Sequence, residues 1–144
     1  AHAIDQGEQH MLVTGLVLAG LAAGIHVYIF ALESLWWTGP RGRAAFGTTP
    51  QQAEATRELA FNQGFYNLFL AVLVAAGIAL FALGHPLVGA TLVLAGTGSM
   101  VAAGLVLALS SPAKRRAALV QAGPPLLAIL LLGTALAGAA TMAG

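Results

Sequence analysis

The sequence has no cysteine and very few charged residues, and these two absences exclude several classes of protein. Without cysteine the chain has no disulfide, no thiolate nucleophile and no thiolate metal site. Only 8% of its residues are charged, against about a quarter in an ordinary soluble domain. The net charge is +1 and no basic tract is long, so nucleic acid is not an expected partner.

Apolar residues make up 58% of the 144-residue chain and form four long runs. A soluble chain of this size cannot bury that much apolar surface. Each run supplies the ~20 residues that cross a hydrocarbon core of about 30 Å. Because lipid offers no hydrogen bonds to the backbone, the runs should be helices. We predict an all-α, four-transmembrane-helix bundle in a lipid bilayer, with helices at about 11–37, 50–83, 86–109 and 117–142.

The first ten residues are polar and lack periodicity, so we interpret residues 1–10 as a native tail or as residues added before a natural start at Met11. The membrane domain is then 11–144. The first run is not typical of a cleaved signal peptide, because no basic residue precedes it and His26 and Glu33 interrupt it.

Helix 2 is predicted to begin well before its apolar run. Thr49 is typical of an N-cap, Pro50 of the first helical position, and Gln52 completes a capping box. A continuous helix from Pro50 to Leu83 would be about 50 Å long. Its first turns should therefore extend out of the bilayer.

The basic residues predict the orientation of the chain. With four spans, loop 1 (about 38–49) and loop 3 (about 110–116) lie on one side, and the termini lie on the other. All six basic residues fall on the side of loops 1 and 3: Arg41, Arg43, Arg57, Lys114, Arg115 and Arg116. The positive-inside rule places those loops in the cytoplasm and both termini outside, so helix 2 should extend into the cytoplasm.

Polar residues from three helices are expected at a similar depth. His26 and Glu33 differ by about 20° around the helix axis and share a face. Ionisable groups in a bilayer usually face the bundle interior or a cavity. We predict a ligand or proton pocket formed by His26, Glu33, Glu58, Asn62, Gln63, Tyr66, Asn67 and Gln121. Arg41, Arg43 and Arg57 form a cytoplasmic basic rim and are candidate partners of Glu33.

Each of these residues also has a structural interpretation. His26 could be a buried histidine bonded to a neighbouring helix, and the amides could join helices by hydrogen bonds. Glu54 and Glu58 could lie on a solvated face, and Trp36 and Trp37 are typical of interfacial anchors. One histidine and a few carboxylates scattered along the chain do not have the spacing typical of a metal site, so we expect no bound metal and no cofactor.

Three stretches resemble one family: HVYIFALESLWWTGPRGRAAFGTTPQQAEAT, NQGFYNLFLA and VQAGPP. They are similar to the domain-of-unknown-function 1304 family of small bacterial integral-membrane proteins. The matching positions are His26, Tyr28, Leu32, Glu33, Trp37, Thr38, Pro40, Arg41, Gly42, Arg43, Phe46, Gly47, Asn62, Gln63, Gly64, Tyr66, Asn67, Gln121 and Pro124. Helix 3 departs from the family's Ala–Gly–x–Tyr–Gly…Thr pattern, with Leu105, Val106 and Leu107 after Gly104. The resemblance implies a bacterial inner or plasma membrane and no established activity.

Three functions remain open from the sequence. The first is small-solute binding or proton-coupled transport through a cytoplasm-facing pocket. The second is a membrane enzyme acting on a lipophilic substrate, by loose analogy of Arg57, Glu58, Asn62 and Tyr66 with small trimeric glutathione-using enzymes. The third is an accessory subunit without chemistry. A homodimer or homotrimer and a small-molecule or lipid-like ligand are the expected partners.

Overall fold

The computed structural model describes residues 6–142, and this part of the chain is helical with no β-strand. Four of its helical segments are long and apolar enough to cross a membrane, which confirms the predicted all-α membrane bundle. The elements are α1 (Gln6–Phe30), a π-helical turn (Ala31–Leu35), α2 (Pro40–Phe46), α3 (Pro50–Ala55), α4 (Arg57–Ala82), α5 (Pro86–Ser110), a 3-10 turn (Pro112–Lys114) and α6 (Arg115–Met142).

The four long helices form an antiparallel ring. Helix α1, with its π-helical turn, packs against α4 and α6, and α5 packs against α4 and α6. Helices α1 and α5 lie diagonally and touch little. Consecutive spans are therefore neighbours, as short connections between helices require.

Small side chains fill the centre of the bundle. Ala19, Ala22, Ala71 and Ala128 are buried around Val74, Val93, Met100 and Leu132. Helices α4 and α5 approach closely where Gly77 faces Gly89, since a Cβ on Gly77 would lie 2.8 Å from the Gly89 carbonyl oxygen. Small residues permit such backbone approach in membranes, where apolar burial alone does not drive helices together.

The small-residue spacing in α1 does not mark a helix contact. Gly20 and Gly24 have the small-xxx-small spacing that permits close approach of helices. A Cβ on Gly20 would meet only Ile78 Cδ1 at 3.8 Å, and one on Gly24 would meet nothing within 4 Å. Gly15 makes the close contact instead, against Leu132 of α6. The rotation of α1 about its axis decides which of its glycines contacts a neighbouring helix.

The predicted capping box starts α3. The Gln52 backbone N–H donates to Thr49 Oγ1 at 3.2 Å, and the Thr49 N–H donates to Gln52 Oε1 at 3.0 Å. The helix does not continue to Leu83 as predicted, because it is interrupted at Thr56. The Thr56 hydroxyl donates back to the Gln52 carbonyl at 2.8 Å, a bond that often bends helices.

Trp37 contributes to the same interruption. Its indole N–H donates to the Ala53 carbonyl at 2.9 Å and to Thr56 Oγ1 at 3.2 Å. The Ala53 carbonyl is the acceptor that a continuous helix would offer to the N–H of residue 57. Helix α3 is thereby fixed to the end of the first span by a side chain distant in sequence.

Three other boundaries differ from the sequence-based ones. Helix α1 starts at Gln6, so part of the predicted tail is helical, and residues 1–5 lie outside the described range. The predicted first loop contains α2, which ends at Gly47 with a φ of 66°. Helix α6 starts at Arg115 instead of residue 117, and it contains Pro124 and Pro125.

Candidate polar site at the end of the first span

Glu33 lies in the π-helical turn that ends the first span. The Trp36 N–H donates to the Ala31 carbonyl at 3.0 Å, which closes the five-residue turn. Single π-helical turns are rare and frequently occur at functional sites. The Glu33 side chain points into the protein, and the residue is only 9% exposed.

Asn67 of α4 is the hydrogen-bond partner of Glu33. Its Nδ2 donates to Glu33 Oε2 at 2.8 Å and to the Gln63 carbonyl at 3.2 Å. Asn67 is 8% exposed, so both members of the pair are buried. The pair joins the first and second spans by a hydrogen bond to a carboxylate, which is stronger than one between neutral groups if Glu33 is ionised.

Gly64 makes this approach of the two helices sterically feasible. A Cβ on Gly64 would collide with Ser34 Oγ and would lie 3.1 Å from both Glu33 Cβ and the Phe30 carbonyl oxygen. The Ser34 hydroxyl donates to the Phe61 carbonyl at 2.9 Å and so adds a second link between the same segments. Glycine at position 64 therefore determines how near Asn67 comes to Glu33.

The three arginines predicted as partners of Glu33 lie elsewhere. Arg57 pairs with Glu54 at 3.6 Å on the exposed surface. The Arg41 guanidinium lies 5.3 Å from the centre of the Trp36 ring. Arg43 is half-buried, and its Nε has no hydrogen-bond partner in the described chain.

The electrostatic surroundings of Glu33 therefore differ from those expected. No basic side chain within residues 6–142 forms a salt bridge with it. The contact partner of the carboxylate is thus the Asn67 amide.

His26 is fully buried about two turns deeper on the first span. Its Nδ1 donates to the Ala22 carbonyl at 2.8 Å. A carbonyl only accepts, so Nδ1 carries the proton and Nε2 of a neutral ring is an acceptor. Nε2 is buried and has no hydrogen-bond partner in the part of the chain that the structure describes.

The remaining predicted pocket residues form no hydrogen bond with Glu33 in the part of the chain that the structure describes. Glu58, Asn62, Gln63 and Tyr66 are exposed on the outer face of α4, and Gln121 is half-buried on α6. The buried stripe of α4 runs through Ala60, Gly64, Asn67, Ala71 and Val74. Of the eight predicted residues, the structure joins Glu33 and Asn67 by a direct contact.

Sequence reasoning did not single out Ser34, Gly64 or Trp37 as parts of this site. Gly64 lies within the Asn–Gln–Gly motif of α4, and this motif is the feature of the sequence that could have identified Gly64 as part of the site. Trp37, which we expect to be an interfacial anchor, packs on Phe46 with ring centres 4.9 Å apart and donates to the Ala53 carbonyl. No group of three or more His, Cys, Asp or Glu suited to a metal occurs within residues 6–142.

Comparison with known proteins identifies one family. The model of the family described as Protein of unknown function (DUF1304) matches residues 20–133, which is well over half of the chain. The match confirms the resemblance found in the sequence motifs, and it includes Glu33, Gly64 and Asn67. Comparisons with curated proteins and with solved structures gave no match.

Proposed function

We propose a function on the premise that this chain belongs to the DUF1304 family of proteins of unknown function. It is a multi-pass membrane protein by the length and composition of its helices. We propose that it binds a small solute at Glu33 and Asn67 and couples solute transport to a proton on the Glu33 carboxylate.

The observation that carries this proposal is the contact between the buried Glu33 carboxylate and an amide donor. A carboxylate kept within a membrane span costs about 2.5–3.5 kcal/mol on insertion scales. A purely structural carboxylate would be expected to contact a basic partner. Glu33 instead contacts Asn67, and its Oε1 has no hydrogen-bond partner among the described residues.

The chemistry of the pair indicates the class of solute. A carboxylate with a free oxygen accepts a proton, or a hydrogen bond from an ammonium, amide or hydroxyl group. A small cation or a neutral solute with a donor group fits this acceptor, and an anion would be repelled. Exchange of the bound proton for such a solute would couple their movements.

The distribution of charge supports access from the cytoplasm. The basic residues Arg41, Arg43, Lys114, Arg115 and Arg116 all lie at the end of the bundle where Glu33 is found. By the positive-inside rule this end is cytoplasmic, and both termini are extracytoplasmic in a bacterial inner membrane.

No structural observation favours the enzyme or the accessory alternative over this proposal. Arg57, Glu58, Asn62 and Tyr66 stand on the exposed side of α4, where Arg57 is paired with Glu54. An exposed polar face of this kind also suits contact with a second copy of the chain, so a homodimer or homotrimer is part of the proposal.

Proton flux into liposomes containing the purified protein tests the proposal. An internal pH dye would report proton entry driven by an outward gradient of methylammonium loaded inside the liposomes, which is the direction that proton–solute exchange requires. We expect flux above that of empty liposomes for the wild-type chain and for Glu54→Gln, and loss of that flux for Glu33→Gln. Glu54 is the matched control because it is an exposed acid outside the predicted pocket. Equal flux in Glu33→Gln and wild type would contradict the proposal.

A further inference from the structure

A cavity of about 470 Å³ lies at the end of the bundle opposite to Glu33. Leu12 of α1, Phe81 of α4, Leu94 of α5 and Leu136 of α6 line it, so all four spans contribute to its walls. Pockets for small molecules typically measure about 300–1,000 Å³ and are mostly apolar. The cavity therefore has the size and lining of a ligand site.

Glu8 places a carboxylate in this apolar wall. The residue is only 9% exposed, and its Oε2 is buried without a hydrogen-bond partner in the described chain. Its Oε1 occupies the space that a Cβ on Gly138 would take. Because Gly138 has no side chain, the Glu8 carboxylate can pack directly against α6. A buried carboxylate without a partner is costly, so a bound donor would stabilise it.

Among the described residues, the polar side chains that line the cavity offer acceptors and no free donor. Besides Glu8, Thr91 lines the cavity, and its hydroxyl already donates to the Leu87 carbonyl at 2.8 Å. A ligand must therefore supply the donor. A fatty acid or a phosphate headgroup would bring a second negative charge next to Glu8, which the cavity does not neutralise.

We propose that this cavity binds an amphipathic amine, with its hydrocarbon part against Leu12, Leu94 and Leu136 and its ammonium group against the Glu8 carboxylate. The site uses neither Glu33 nor Asn67. It lies roughly 37 Å from Glu33 along the first span, from the helical rise over the 25 intervening steps. It is therefore independent of the function proposed above.

We would test this inference by measuring how three probes, each with one alkyl chain of the same length, bind to the whole protein in detergent. The probes are dodecylamine, dodecanol and dodecanoate, and the readouts are the Kd and the ligand-dependent rise in Tm. We expect dodecylamine to bind about tenfold or more tightly than dodecanol, because a charge-assisted hydrogen bond adds to the same apolar contacts. Dodecanoate should bind more weakly than dodecanol.

Three variants relate the binding to the cavity. Glu8→Gln should remove the preference for the amine and leave dodecanol binding unchanged. Glu54→Gln, which changes an exposed acid outside the predicted pocket, should behave as wild type. Ala139→Leu, which places bulk in the cavity wall, should weaken both ligands. Equal affinity of wild type for amine and alcohol, or an amine preference that survives in Glu8→Gln, would overturn the proposal.

Photolabelling needs only the wild-type chain, so it tests the proposal even if a variant does not fold. An alkylamine with a diazirine near the end of its chain should label residues of the cavity wall such as Leu12, Leu94 and Leu136. Labelling confined to the outer surface of α5, at Leu105 and Val106, would show that the amine does not enter the cavity.

Discussion

Asn67 Nδ2 and Glu33 Oε2 are 2.8 Å apart, and this hydrogen bond connects α4 to the π-helical turn of the first span. A double-mutant cycle with Glu33→Leu and Asn67→Leu should give a coupling free energy of about 0.6–2 kcal/mol, the range found for hydrogen bonds between membrane helices. Asn67→Leu alone should cost about 1–3 kcal/mol, because the buried carboxylate loses its donor. Unfolding in mixed micelles measures both quantities. Additive effects of the two substitutions would mean that the contact contributes nothing to stability.

Gly64→Ala should destabilise the bundle by about 1–3 kcal/mol, as overpacking of a tight contact does. The added Cβ would collide with Ser34 Oγ and approach Glu33 Cβ to 3.1 Å. Gly24→Ala is the matched control, since nothing lies within 4 Å of a Cβ there. It should be neutral, or stabilising by up to about 1 kcal/mol from helix propensity. Thermal unfolding of the two variants in one detergent compares them directly, and similar Tm values would contradict the tight contact.

Trp37→Phe should loosen α3 without unfolding the four spans. The substitution removes the indole N–H that donates to the Ala53 carbonyl and Thr56 Oγ1. A loss of about 0.5–1.5 kcal/mol is expected for such a bond. Hydrogen–deuterium exchange should rise over residues 50–60 and stay unchanged in α5. Trp36→Phe is the control, because Trp36 makes a ring contact with Arg41 and no side-chain hydrogen bond in the described chain.

Glu33 should react with dicyclohexylcarbodiimide, an apolar reagent that modifies protonated carboxyl groups within membranes. The reagent requires the protonated form, so modification should decrease as the pH rises and the carboxyl ionises. Mass spectrometry of peptides containing Glu33 measures the extent, and Glu58 on the exposed face of α4 serves as internal reference. Modification of Glu58 in preference to Glu33 would argue against a proton-exchanging carboxyl at position 33.

The absence of cysteine makes the chain suited to a test of its orientation. Single cysteines at the exposed positions Ala44, His85 and Ala113 sample the three connections between spans. A membrane-impermeant maleimide added to intact bacteria expressing the protein should label His85→Cys, and should label the other two only after permeabilisation. The reverse pattern would place the basic loops outside and contradict the proposed orientation.

Much of the fold follows from local properties of the sequence. The four spans follow from apolar runs, and the capping box at Thr49 follows from residues three positions apart. The interruption at Thr56 could not be predicted in the same way. It depends on the Trp37 indole reaching the Ala53 carbonyl across 16 positions of the chain.

The candidate site was predicted less completely than the fold. Glu33 and Asn67 were both recognised as polar residues at one depth, but so were Asn62, Gln63 and Tyr66, which are exposed. The depth of a residue in the bilayer can be estimated by counting residues along its helix. The rotation that turns Asn67 inward places it on the same helix face as the small residues Ala60, Gly64 and Ala71, a periodicity that the sequence analysis did not use. The cavity beside Glu8 was not predicted, because residues 1–10 had been interpreted as a tail.

The sequence by itself determined that the chain forms four membrane helices, because a backbone in lipid must bond within its own segment and leaves little choice of structure. Only the tertiary structure decided which polar groups meet. The Glu33–Asn67 contact and the Glu8 carboxylate beside Gly138 depend on close approach between helices distant in sequence. Such approach is fixed by the shapes of several packed side chains at once, and no single segment contains that information.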